Sequence, residues 1–143
     1  MQMSLNELVS KPMSLKFIKP GLQTSIQDAG RIGYLHQGIS RSGAMDVVSM
    51  QLANWLISND INQSAIEITL VGPTIEFTQS HSIAICGAEF DLYLNGMSVS
   101  NNKIIKVNAD DILEFKQLRN GMRAYLAVAG GLLVEEVFGS QST

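Results

Sequence analysis

From Ala65 to Ala129 the apolar residues recur largely at alternate positions, in short runs cut by Gly, Asn, Asp and Pro. This period of two restricts the chain more than any other feature, because it suits pleated strands with one face on a core. Ala65–Val71 alternates and ends at Gly72-Pro73, and Thr74–Thr78 alternates again. Ser82–Cys86 is nearly continuous in apolar residues, as in a strand buried on both faces. Gly87 separates it from Phe90–Leu94. Asn95-Gly96 then predicts a tight hairpin, since both residues tolerate positive φ, with Met97–Val99 as the return strand. Ile104–Val107, Ile112–Phe115 and Arg123–Ala129 read as three further strands. Short strands this closely spaced predict a mainly-β barrel or sandwich.

Before Ala65 the pattern differs. Leu15–Lys19 alternates between Pro12 and Pro20, and Thr24–Asp28 is a second short strand. One main helix is expected over about 45–58. Met45, Val48, Leu52, Trp55 and Leu56 repeat at helical spacing, and Ser58-Asn59-Asp60 provides a stop. That stripe, Trp55 included, is expected to pack on the core. Ser42 or Ala44 is expected near the cap, with Asp46 in the first turn, where a carboxylate suits the helix dipole.

Between strand and helix lies Gln27–Asp46, a polar stretch with no period of 2 or 3.6, containing Gly30, Gly33, Gly38 and Gly43. A loop this long in a compact domain suggests function. Arg31 and Arg41 suit a bidentate grip on a carboxylate or phosphate near a helix N-terminus. The alternative is that they pair with Asp28 and Asp46 and only fix the loop. The glycine spacing fits neither a phosphate-binding loop nor a dinucleotide fingerprint. His36 is a candidate general acid or base, whereas His81 reads as a solvated edge residue. Glu67, amid Ile66, Ile68 and Leu70, either faces solvent or points into a site. The lone Cys86 reads as inert core.

Composition narrows the function classes. The net charge is −3 and the ten Lys and Arg are scattered, which argues against nucleic-acid binding. One cysteine permits no internal disulfide, and two histidines with it make no recognisable zinc site, so no metal is expected. No apolar run approaches the roughly 20 residues of a membrane span. Residues 1–13 are expected to be a flexible leader without a signal-peptide core, and cytoplasmic localisation is the default expectation.

Several segments carry a family resemblance. They are Gly21-Leu-Gln-Thr-Ser-Ile-Gln-Asp-Ala-Gly-Arg-Ile-Gly-Tyr34, Ser42-Gly-Ala-Met-Asp46, Leu52-Ala-Asn54, Ala65–Pro73, Gly121–Gly131 and Gly139–Thr143, in that order. Together they resemble the allophanate hydrolase subunit 2 group, also called the biotin-dependent carboxyltransferase or KipA family, which includes the C component of 5-oxoprolinase. The resemblance implies a cyclophilin-like β-barrel, here partial, with residues 14–143 as the N-terminal half of the family's domain. It implies a KipI-like partner (allophanate hydrolase subunit 1, or the B component of 5-oxoprolinase), an A component, and a small amide substrate. ATP is used by the whole complex and biotin is a further candidate, while no cofactor is expected on this chain.

The activity that the resemblance implies first is ATP-dependent opening of 5-oxo-L-proline to L-glutamate. Allophanate hydrolysis or a urea carboxylase-type carboxyl transfer comes second, and antagonism of a KipI-like inhibitor is a non-enzymatic alternative. In an amide-processing site, Asp28 and His36 are the expected proton-transfer groups. Arg31, Ser42 and the Gly43 N–H are expected to hold an oxyanion or carboxylate. Gln27, Asp46 and Asn54 complete the expected substrate-binding set.

Overall fold

Two long strands build the sheet. In this computed structural model, residues 15–27 and 45–132 are described. The strands are β1 (Leu15–Lys19), β2 (Gln23–Gln27), β3 (Ala65–Thr69), β4 (Thr74–Phe77), β5 (His81–Leu94), β6 (Met97–Val99), β7 (Ile104–Val107) and β8 (Ile112–Val128). A helix, α1 (Val47–Leu56), lies between β2 and β3. All strand pairings among the described residues are antiparallel. Strand order runs β1-β4-β8-β3-β2, and β5 pairs with β6, β7 and β8. The result is a curled half-barrel sheet with one helix among the described residues, in line with the expected mainly-β class.

Two expected breaks are continuous strand instead. Ser82–Cys86 and Phe90–Leu94 are parts of β5, and Ile112–Phe115 and Arg123–Val128 are parts of β8. The β5–β8 register shifts between Gly87 and Leu92, so the strands bend together without ending. Gly87 makes the bend feasible. Its φ is +107°, and an added Cβ would sit 2.6 Å from the Arg123 carbonyl oxygen. The expected Asn95-Gly96 hairpin is present, with φ of 52° and 84°.

Alternation then assigns the faces. Ile66, Ile68, Ile83, Ile85, Ala124, Leu126 and Val128 join the inner core with Phe77, Leu92, Leu113 and Phe115. Ala65, Ala84, Cys86, Tyr125 and Ala127 point to the outer face, where Met50 and Ala53 of α1 and its C-cap Ile57 cover them. The small residues let the helix sit close to the sheet. Full burial of a side chain the size of Met50 or Ile57 contributes roughly 1.5–3 kcal/mol.

The helix therefore buries a different stripe from the one its sequence suggests. Met45, Val48, Leu52 and Trp55 are exposed, at 68%, 74%, 42% and 66%. Only Leu56 of the expected face packs partly on the core. The physical reason is the shallow outer face of alanines and Cys86, which accepts Ala53 and slender Met50 but leaves no recess for an indole. The cap also differs: Asp46 is itself the N-cap, and α1 closes at Ile57. The leader over residues 1–13, and the Ser42 and Ala44 cap alternatives, lie outside the described residues. No helix among the described residues is long and apolar enough to cross a membrane.

Candidate functional site

The outer face of β3 carries a carboxylate, Glu67, between Ala65 and Thr69. All five residues of β3 are buried, and Glu67 is only 8% exposed. With Ile66 and Ile68 turned inward, Glu67 must point outward, and the chain entering α1 covers it. Directly opposite on β8 stands Tyr125, fully buried. Its hydroxyl donates to Glu67 Oε2. The same oxygen accepts the Met45 backbone N–H at 3.0 Å. The Tyr125 oxygen in turn accepts the Asp46 N–H at 2.9 Å.

Asp46 completes the junction. Its Oδ1 accepts the Ser49 N–H at 3.1 Å, and its Oδ2 accepts the Ser49 hydroxyl at 2.6 Å. The helix entrance is thus stitched to β3 and β8 through one tyrosine and one glutamate. Burial holds the Tyr125 hydroxyl well above the usual phenol range, and the bond to Glu67 adds to the effect. Tyr125 therefore stays a neutral donor.

Two grooves meet at this junction. One, of about 480 Å³, runs along β2 and β3 and is lined by Ser25, Gln27, Met45, Glu67, Thr69 and Arg123, together with Leu22, Gln23 and Thr24. The other, of about 390 Å³, lies over the β5–β8 bend between Gly87–Glu89 and Asn120–Arg123 and reaches Met45, Asp46 and Ser49. Met45 and Arg123 line both and so stand between them. Among the described residues, Arg123 has no carboxylate within ion-pair distance, and its guanidinium hydrogen-bonds Met122 Sδ at 3.4 Å. Arg119, by contrast, is paired with Asp91 at 2.6 Å.

The structure separates the expected site residues. Gln27, at the end of β2 opposite Ala65, lines the first groove, and its amide donates to Ser25 Oγ at 2.9 Å. Asp46 borders the second groove, but both of its carboxylate oxygens are occupied by Ser49.

Asn54, expected among the substrate-binding residues, lines neither groove. It is fully buried in the last turn of α1. Its Nδ2 donates to the Gln63 carbonyl at 2.9 Å and its Oδ1 accepts from Asn59 at 3.0 Å, so its amide fastens the loop after the helix. Asp28, Arg31, His36, Ser42 and Gly43 lie outside the described residues.

Sequence reasoning did not single out Tyr125 and Arg123, and left Glu67 undecided. The one available signal was a carboxylate set between two isoleucines, Ile66 and Ile68, in an otherwise mostly apolar strand. Among the described residues, no cluster of three or more His, Cys, Asp or Glu side chains has the spacing for a metal ion.

Residues 37–143 match the family model described as carboxyltransferase domain, subdomain A and B. Urea amidolyase of Saccharomyces cerevisiae is 40% identical over 140 residues, covering 97% of this chain and 8% of that protein. The C component of the 5-oxoprolinase of Escherichia coli is 42% identical over 129 residues, covering 90% of this chain and 42% of that protein. The chain thus spans less than half the length of either relative. Among solved structures, the urea carboxylase of Kluyveromyces lactis superposes with a TM-score of 0.82 at 40% identity, over 93% of this chain and 12% of that one.

Proposed function

Because the chain belongs to the family of the carboxyltransferase domain, subdomain A and B, we propose that it is a component of an enzyme that acts on a small amide. The reaction is the ATP-dependent opening of 5-oxo-L-proline to L-glutamate. The observation that carries this reading is the groove along β2 and β3, where Arg123 stands near the buried Glu67 without a carboxylate partner among the described residues. A guanidinium suits a ligand carboxylate, and a carboxylate acceptor suits a ligand N–H. 5-Oxoproline carries both groups. The 42% identity to a 5-oxoprolinase C component supports the same choice.

ATP is handled by the other components in this reading. A KipI-like protein and an A component complete the assembly, and Asp28 and His36 remain the candidates for proton transfer. The decisive assay mixes this chain with both partners, ATP and 5-oxoproline, and follows glutamate. Glutamate should form in the complete mixture and disappear when this chain is omitted. A complete mixture that forms none, or that works equally without this chain, defeats the reading.

The second reading is a carboxyltransferase component of the urea carboxylase type, or a part of an allophanate-hydrolysing system. The 0.82 TM-score to a urea carboxylase favours it. In that case biotin, borne elsewhere, would supply the carboxyl group, and the polar side chains of Ser25, Thr69 and Arg123 in the groove suit its ureido carbonyl. Urea-dependent consumption of carboxybiotin in the presence of this chain would select this reading over the first.

A further inference from the structure

We infer that Glu67 and Arg123 form a two-ended clamp for one amide ligand, with Glu67 Oε1 accepting the ligand N–H and Arg123 donating to its carboxylate. This rests on the amide-ligand reading above and assigns its contacts.

Strand register brings the two residues together. Glu67 faces Tyr125 and Thr69 faces Arg123, so Glu67 and Arg123 are diagonal neighbours on one face of the sheet. Both line the same groove. A carboxylate and a guanidinium so placed would ordinarily pair, yet no salt bridge of 4.0 Å or less joins them. The reason lies in how Glu67 is held. Its Oε2 takes two hydrogen bonds, from the Tyr125 hydroxyl and the Met45 N–H, which fix the carboxylate against the helix entrance. Its Oε1 takes none among the described residues and is not sealed from the groove.

A carboxylate oxygen open to the groove takes its remaining hydrogen bonds from whatever occupies the groove. The arrangement is one acceptor oxygen, already oriented, and, at the diagonal position of the neighbouring strand, one cation with no carboxylate partner among the described residues. A ligand that presents an N–H and an anionic oxygen on neighbouring atoms satisfies both without either side chain having to leave an existing partner. Preorganisation of this kind strengthens binding by reducing the ordering cost. The ligand class is therefore an amide or lactam whose N–H lies beside a carboxylate. Urea lacks the carboxylate and engages only the Glu67 end, and 2-pyrrolidinone does the same.

Calorimetric titration of the full chain with 5-oxoproline, its N-methyl derivative and 2-pyrrolidinone tests the clamp. Wild-type protein should bind 5-oxoproline at least about tenfold more tightly than either analogue, as expected for losing a hydrogen bond to a charged group. Glu67→Gln should weaken 5-oxoproline by about tenfold or more and leave the N-methyl derivative unchanged. Arg123→Met should weaken 5-oxoproline similarly and leave 2-pyrrolidinone unchanged. If wild-type protein binds 5-oxoproline and both variants bind it equally well, the clamp is wrong while the amide reading survives. Absence of wild-type binding to any of the three overturns the amide reading at this groove and the clamp with it. Should Glu67→Gln fail to fold, the analogue series on wild-type protein still decides, because equal affinity for the N-methyl derivative removes Glu67 as the acceptor.

Discussion

Tyr125 and Glu67 occupy directly opposed positions on neighbouring strands, and the tyrosine hydroxyl bridges the glutamate to the backbone N–H of Asp46. One phenol thus serves two elements, donating to the sheet's buried carboxylate and accepting from the helix cap.

Removing that hydroxyl by Tyr125→Phe leaves Glu67 one donor short and strands the Asp46 N–H. The cost should be about 1–3 kcal/mol, the usual price of unsatisfied buried polar groups. It should appear as a lower urea midpoint with an unchanged denaturant slope. An unaltered midpoint would show that the junction does not contribute to stability.

The two faces of α1 should respond oppositely to truncation. Trp55→Ala, at a position 66% exposed, should change the stability of this chain by no more than about 0.5 kcal/mol. Met50→Ala, fully buried between helix and sheet, should cost about 2–5 kcal/mol. The same urea titrations read both variants, and the reverse ranking would mean that the helix packs through its other face.

Asn54→Ala should destabilise the chain without altering ligand affinity. It removes the donor to the Gln63 carbonyl and one of the two acceptors of the Asn59 amide in a part-buried setting, at a cost of about 1–3 kcal/mol. Titration of the folded variant with 5-oxoproline should give the wild-type affinity, and a selective loss of binding would return Asn54 to the site.

Alkali should destabilise the fold from the ordinary thiol range upward. Burial raises the Cys86 thiol from 9.0 to about 11. The unfolded chain then gives up its proton first, so the stability is fully present below pH 9.0 and is lost as pH rises toward about 11. Tyr125, also raised by burial, acts in the same direction at higher pH. At neutral pH a soluble disulfide reagent should leave Cys86 unmodified until denaturant is added. Rapid labelling of the native protein would contradict its burial.

The strand content was legible because it rests on local chemistry. Asn95-Gly96 announces its own turn, and the alternation of Ile66, Glu67 and Ile68 sorts a face without knowledge of any neighbour. Gly87 was read as a break because a glycine in a strand looks alike whether the strand ends or bends, and only the matching bend in β8 distinguishes them. The helix face was misread for a related reason. Met45, Val48, Leu52 and Trp55 form a proper amphipathic stripe, but burial is decided by the shape of what lies opposite, here Ala84, Cys86 and Ala127. The junction was least legible: Glu67 and Tyr125 meet across 58 residues of chain, and nothing local in either strand names the other. Gln27 reached the groove by a simpler route, since it is the last residue of a strand that borders it.

The length of β8 has a consequence for the order of assembly. This last strand of the described chain is hydrogen-bonded to β3, β4 and β5 alike, and it supplies both Tyr125 and Arg123. Contacts so distant in sequence close late and slow the folding of β-rich chains. A nascent chain can form the Asn95-Gly96 hairpin early, but the groove along β2 and β3 lacks Arg123 until β8 docks. Under the proposed clamp, competence to bind would be acquired only as β8 completes the sheet and brings Arg123 to Glu67.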